Sequence, residues 1–307
     1  MNFPISGVTI SSAWLIGIGF AVGVLGGFFG VGGSFLAGPA LYALGLPMNF
    51  VVGTDLAHIM GKSVVAAKKH RALGNVDLKL GFIMVGGTLA GVELGAQLVQ
   101  YLKRMNKTDL VLGVLLSTIL IVLSSFMLWE SISALRQRHL YATGRVKTLK
   151  RDRIHFTMLF KKIQALKFPP YVSLPASGIQ RISLWAIIVV GLVGGFFSGL
   201  LGGGAGYVRM PSLVYVLGVP THVAIGTDLF EIIISAGYGT FTHALKGNVD
   251  ILIALVMHTG AAIGAQIGAA LTERFHGPKI RLAFVPLPII GAGILIWELF
   301  HKGALHR

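Results

Sequence analysis

Six of the ionisable residues inside the apolar stretches of this chain are candidates to act together. Asp55, His58 and Lys62 fall at i, i+3 and i+7, and Asp228 and Glu231 at i, i+3, so each group shares a helical face. Arg209 opens a short apolar segment ahead of the second group. Ionisable side chains in lipid are costly, so each is a functional candidate. His58 and Glu231 are proton-carrier candidates. Arg209 either pairs with an incoming oxyanion or reaches out to the headgroups. Lys62 either neutralises Asp55 through some helix bending or sits near the inner surface. Thr54 and Thr227 complete matching Gly-Thr-Asp triplets with Asp55 and Asp228. The triplets either line a central cavity or cap a helix and bond nearby backbone.

Two glycine-rich runs accompany these charges. The first reads Gly26-Gly27-Phe28-Phe29-Gly30-Val31-Gly32-Gly33 and leads into Ser34; the second has Gly194-Gly195-Phe196-Phe197, then Gly202-Gly203-Gly204. Each glycine costs a helix about 1 kcal/mol relative to alanine, so both runs should break their spans. A break frees backbone N–H groups, and those at a helix start attract anions. Close packing alone is the other reading. The substrate-binding candidates are Gly30, Gly32, Gly33, Ser34, Thr54, Gly202, Gly203, Gly204, Arg209 and Thr227. The ion-coupling candidates are Asp55, His58, Lys62, Asp228 and Glu231. Neither run ends in Lys-Ser/Thr after a strand, which excludes a nucleotide-phosphate loop. No His/Asp/Glu set has metal-ligand spacing, no serine lies in a nucleophile elbow, and no cofactor is expected.

The elements that must position these residues are duplicated. Gly45-Leu46-Pro47, Gly53-Thr54-Asp55 and Gly74-Asn75-Val76-Asp77 return as Gly218-Val219-Pro220, Gly226-Thr227-Asp228 and Gly247-Asn248-Val249-Asp250, all at an offset of 228 − 55 = 173. Ten apolar segments are expected, near 12–30, 34–46, 50–66, 78–101, 109–129, 183–201, 207–219, 222–245, 250–271 and 280–300. The second and seventh are too short for the ~20 residues of a full span. The expected organisation is a first transmembrane repeat over 12–129, a basic cytoplasmic insert over 130–182 and a second repeat over 183–301. Five segments per copy is odd, so the copies should sit upside down relative to each other. Pro47 precedes Asp55, and Pro220 precedes Asp228, by eight residues. At ~1.5 Å per residue that is ~12 Å, which puts both acids near the midplane. Gly87, Gly91, Gly95 and Gly260, Gly264, Gly268 form helix-packing faces. His70 and His243 match across the copies but sit near loop ends.

Composition sets the class. The chain is 54% hydrophobic and 12% charged, with mean hydropathy +0.78 and 42 glycines in 307 residues. A soluble domain is about 25% charged. Net charge is +15, but eleven Lys/Arg fall between Arg136 and Arg181, which reads as a positive cytoplasmic loop and not as a nucleic-acid surface. Placing that loop inside puts Lys68, Lys69, Arg71, Arg274, Lys279 and Arg281 inside too, with Lys103, Arg104 and Lys107 outside as the exception. Residues 153–168 show an apolar face at helical spacing, suited to the inner leaflet or to the underside of the bundle. There is no cysteine, which excludes disulfides and thiolate chemistry. Met1–Ser12 lacks a basic n-region, so the first span is read from Trp14 as mature.

These duplicated motifs, together with the Gly-Ala-x-x-Gly-Ala that follows, resemble the TauE/SafE family of bacterial membrane permeases over 14–129 and 183–300; the basic insert lies outside the resemblance. The resemblance implies movement of sulfite or organosulfonates across the inner membrane, with the glycine runs and triplets lining the path. The fold class expected is an all-α polytopic membrane protein of two inverted repeats. The function expected is a non-enzymatic secondary carrier for a small anion, with proton coupling. Its expected partners are that anion, the lipid bilayer and a second copy in a homodimer, without nucleic acid. A passive anion channel and a non-transporting scaffold are the alternatives; a membrane enzyme would need a constellation that is missing.

Overall fold

Small residues decide how these helices meet. The computed structural model describes residues 1–31, 33–142, 168–275 and 277–305. Helices α1 (Ser12–Phe29), α2 (Ser34–Ala43), α3 (Met48–Ala72), α4 (Leu78–Arg104) and α5 (Thr108–Ala142) form the first half. Helices α6 (Leu184–Leu201), α7 (Gly206–Pro211, continued as a π turn over Ser212–Val216), α8 (Thr221–Leu245), α9 (Ile251–Leu271), α10 (Gly277–Phe284) and α11 (Pro286–Leu305) form the second. Seven described helices are long and apolar enough to cross a membrane, namely α1, α3, α4, α5, α6, α9 and the α11 region. Helix α8 has the length, 25 residues, but carries Asp228 and Glu231. Helix α2 has 10 residues, about 15 Å at 1.5 Å per residue, or half the hydrocarbon thickness. The chain is a mostly helical, multi-pass membrane protein.

The glycine faces fit as expected. A methyl group on Gly260, Gly264 or Gly268 would overlap the backbone of Ile16, Phe20 or Val24, so α9 lies directly on α1. Because both series ascend together, the two helices run parallel. Gly87, Gly91 and Gly95 meet Ile188, Leu192 and Phe196 in the same way, so α4 and α6 are also parallel. Helices α3 and α8 run antiparallel, with Gly53 against Asn248, Met60 against Gly237, and Asn75 against Gly226. With no water to expel between helices, such close backbone contact supplies the van der Waals packing that holds spans together.

Several elements differ from the sequence expectation. The tenth apolar segment is two helices, because the chain turns at Val285 and Pro286 starts a new helix. Helix α5 continues past 129 to Ala142. Two hairpins flank the helical halves, β1–β2 (Asn2–Phe3, Val8–Thr9) and β3–β4 (Tyr171–Leu174, Ile179–Ser183). Of the amphipathic segment 153–168, all but Phe168 lies outside the described residues.

The hairpins mark opposite ends of the bundle. The Ser6 hydroxyl donates to the Asp250 carboxylate (2.7 Å), and both Asn49 (3.1 Å) and Lys103 (2.7 Å) donate to Asn248. These bonds gather β1–β2, the start of α3, the end of α4 and the start of α9. At the other end of α4, the Ser177 hydroxyl donates to the Asp77 carboxylate (2.6 Å) and Lys79 donates to the Ser173 carbonyl (2.9 Å).

Candidate functional site

Both glycine runs break their helices, and the breaks touch. Gly30 ends α1 and Gly33 caps α2 with φ of 73° and 83°, left-handed values that favour glycine. In the second half Gly202, Gly203, Gly204 and Ala205 all have positive φ, and the turn ends by starting α7. Gly206 packs against the backbone of Val31, joining one break to the other. Each break also leans on the opposite half: Gly30 lies against Ile225, just before the second triplet, and Gly202 against Val52, just before the first. Gly32 and the side chain of Ser34 lie outside the described residues.

Arg209 is the largest fully buried side chain among the described residues, so it does not reach the headgroups. Its Nε donates to Asp228, its Nη1 pairs with Glu231, and its Nη2 donates to the Gly204 carbonyl at 2.7 Å. The left-handed turn at Gly204 aims that carbonyl. Gly194 makes room for the stem, since a Cβ there would stand 3.1 Å from Arg209 Cδ. Ser235 donates to the Glu231 carboxylate at 3.1 Å. Arg209 therefore holds acids of its own chain.

The first half builds a different version. His58 Nδ1 lies 3.3 Å from the Asp55 carboxylate. Lys62 is 1% exposed, which puts it in the core and away from the inner surface. Its Nζ donates to the Val22 carbonyl at 3.5 Å, and a Cβ on Gly33 would stand 3.0 Å from that Nζ. Lys62 matches Ser235 (62 + 173 = 235), so the cation is carried by α3 in one half and by α7 in the other. The two clusters flank one turn, because Gly204 sits between Ile59 and Ile232, the residues after His58 and Glu231. Asp55, His58, Lys62, Arg209, Asp228 and Glu231 are all 0–1% exposed, so the core is occluded. By formal charge, three carboxylates stand against the two cations Arg209 and Lys62, an excess of one negative charge (3 − 2 = 1) with His58 left uncounted. Asp55 Oδ2, Asp228 Oδ2, Glu231 Oε1 and the Tyr207 hydroxyl are buried without a hydrogen-bond partner among the described residues.

The triplets divide their labour. Thr54 accepts a hydrogen bond from the Asp250 amide and Thr227 from the Asp77 amide, both 2.9 Å. Asp250 and Asp77 are the N-caps of α9 and α4. The threonines thus bond backbone of the opposite half, not the neighbouring backbone that the sequence suggested, while the aspartates face the charges. The cap role of Asp77 and Asp250 was readable as an Asp before an apolar run.

Two further residues were undervalued. His70 and His243 are buried, and each contacts a carbonyl three residues before a break: Nε2 to Gly27 O (3.0 Å) and Nε2 to Gly199 O (2.8 Å). Their match across the copies was the available signal. Beside the breaks, Phe29, Val31, Met210 and Phe284 line an apolar seam. No His/Asp/Glu group suited to a metal occurs among the described residues.

Comparison with known proteins gives a consistent picture. Residues 15–295 match the family model described as sulfite exporter TauE/SafE. Over 295 residues the chain is 25% identical to the probable membrane transporter protein YunE of Bacillus subtilis, covering 93% of this chain and 98% of that one. The probable membrane transporter protein MJ0441 of Methanocaldococcus jannaschii is 23% identical over 282 residues, 87% and 89% of the two chains. A probable membrane transporter protein of Xylella fastidiosa is 40% identical over 101 residues, 32% and 39% of the chains. No solved structure matches.

Proposed function

The chain belongs to the TauE/SafE family of membrane transporters, and from that premise we propose that it is a secondary carrier for a small anion, sulfite or an organosulfonate, across the bacterial inner membrane. The observation that carries this reading is the occluded charged core at two touching helix breaks. Arg209 and Lys62 supply positive charge where bent backbone from both halves converges, which suits an oxyanion. The sulfur-containing class comes from the family description. The closed packing around the core supports a carrier that alternates access over an open channel. The antiparallel run of α3 and α8, equivalent helices at the 173-residue offset, supports halves of inverted topology. The uncompensated carboxylate supports coupling to protons, because an anion entering a net-negative core needs a compensating positive charge.

Reconstitution into proteoliposomes tests the proposal. Labelled sulfite, sulfate, thiosulfate, sulfoacetate and simple carboxylates would be offered with and without a pH gradient. Saturable, counterflow-competent flux of one sulfur anion, accelerated by the gradient, is expected. Absence of flux for every anion would sink the carrier reading; flux indifferent to the gradient would remove proton coupling alone.

A further inference from the structure

We propose that the Glu231 carboxylate is the resident occupant of an oxyanion site on Arg209, and that a substrate anion replaces it there as Glu231 takes up a proton. This rests on the anion-carrier reading above. Arg209 presents a fork of donors shaped for planar oxyanions. Two edges of that fork are held by parts of the site with structural duties. The Gly204 carbonyl belongs to the broken backbone itself. Asp228 belongs to the triplet shared by both halves, matching Asp55. Glu231 has no acidic counterpart, since its match is His58 (231 − 173 = 58), and it supplies the unbalanced negative charge. Its side chain is one methylene longer than that of Asp228, so it can withdraw while α8 stays in place.

The surroundings of Glu231 fit both of its states. Ser235 is its hydrogen-bond partner besides Arg209 among the described residues. A hydroxyl can donate to a carboxylate or accept from a carboxylic acid, so Ser235 can stay bonded as Glu231 is protonated. The second carboxylate oxygen, Oε1, is buried without a partner and is the open place for that proton. The other elements packed on α8 contribute few competing groups. Helix α7 brings Arg209 and Tyr207, and α3 brings Asp55, His58 and Lys62. Helix α6 has no titratable residue. Helix α4 offers Glu93 at mid-span, which is paired with Lys246 at 3.1 Å. The balance is simple: Glu231 carboxylate plus H⁺ gives the acid, no other bond changes, and a monovalent anion enters. The core then keeps the charge it had before.

The test uses the intact protein and anions whose charge is constant between about pH 5.5 and about pH 8, methanesulfonate and sulfate, so that only the protein titrates. Binding to the wild type, read by calorimetry, should weaken by up to about tenfold per pH unit on the alkaline side. On that alkaline side, in weakly buffered solution, the same linkage should appear as uptake of about one proton per methanesulfonate bound. Glu231→Gln should bind at every pH with the affinity of the acidic wild type, and without proton uptake. Ser235→Ala should move the midpoint and keep the slope. Wild-type slope retained in Glu231→Gln overturns the inference, as does binding by the wild type on the alkaline side without proton uptake, a readout that needs no variant to fold. If the wild type binds neither anion at any pH, nor any member of the transport panel, the carrier reading itself fails.

Discussion

Thr54 and Asp250 are 196 residues apart, yet the Asp250 amide donates to the Thr54 hydroxyl at 2.9 Å. Thr227 and Asp77 repeat the bond at the same length. Each triplet is thereby stitched to the helix cap of the opposite half. Asp250 and Asp77 also hold Ser6 and Ser177 of the two hairpins. Polar contacts thus run from each hairpin as far as a triplet, and the two halves cannot separate at a triplet without orphaning a buried amide.

Thr54→Val keeps the shape of the side chain and removes the acceptor. The stranded amide should cost about 1–3 kcal/mol, while Thr54→Ser should cost much less. Thermal melts of purified protein check this. Thr227→Val should behave alike because it orphans the Asp77 amide.

Arg209→Gln leaves Asp228 and Glu231 buried with no compensating charge. Removing one partner of a buried pair costs about 3–5 kcal/mol, so the variant should express poorly and melt early. The triple change Arg209→Met, Asp228→Asn, Glu231→Gln removes the charges together. It should recover thermal stability while remaining inactive in the proteoliposome assay. Recovery of transport as well would show that Arg209 serves the fold alone.

Gly264→Val should separate α1 from α9, because any side chain there collides with the backbone of Phe20. Gly17→Ala, on the same α1 helix but with nothing within 4 Å of the added carbon, should leave stability unchanged or raise it by up to about 1 kcal/mol. Comparing melting temperatures of the two variants checks the packing assignment.

Sidedness can be read with single cysteines, since the chain has none of its own. Ile5→Cys and Asn106→Cys belong to one end of the bundle, and Arg71→Cys and Gln180→Cys to the other; all four positions are exposed. An impermeant maleimide applied to intact cells should label the first pair and spare the second. Labelling of all four from one side would contradict the arrangement of the hairpins.

Much of this protein was legible in its residues alone. Mean hydropathy, glycine content and long apolar runs declared a membrane protein, because lipid demands that backbone polar groups be satisfied within helices. The glycine repeats at every fourth residue identified packing faces, since 3.6 residues per turn puts them on one side. The glycine runs announced the breaks, and buried charge singled out Asp55, His58, Lys62, Arg209, Asp228 and Glu231. All of these signals are local: they depend on neighbours within a few turns of chain.

What tertiary structure alone decided was partnership. No spacing rule says that Arg209 is held by Asp228, Glu231 and a glycine carbonyl at once, or that Thr54 spends its hydroxyl on residue 250. No periodicity says that His70 and His243, near helix ends, turn inward onto the breaks. The short hairpins carried too few residues to stand out from loop. Hydrogen bonds and ion pairs depend on distance in space, and distance between remote segments is set only when the whole chain has packed.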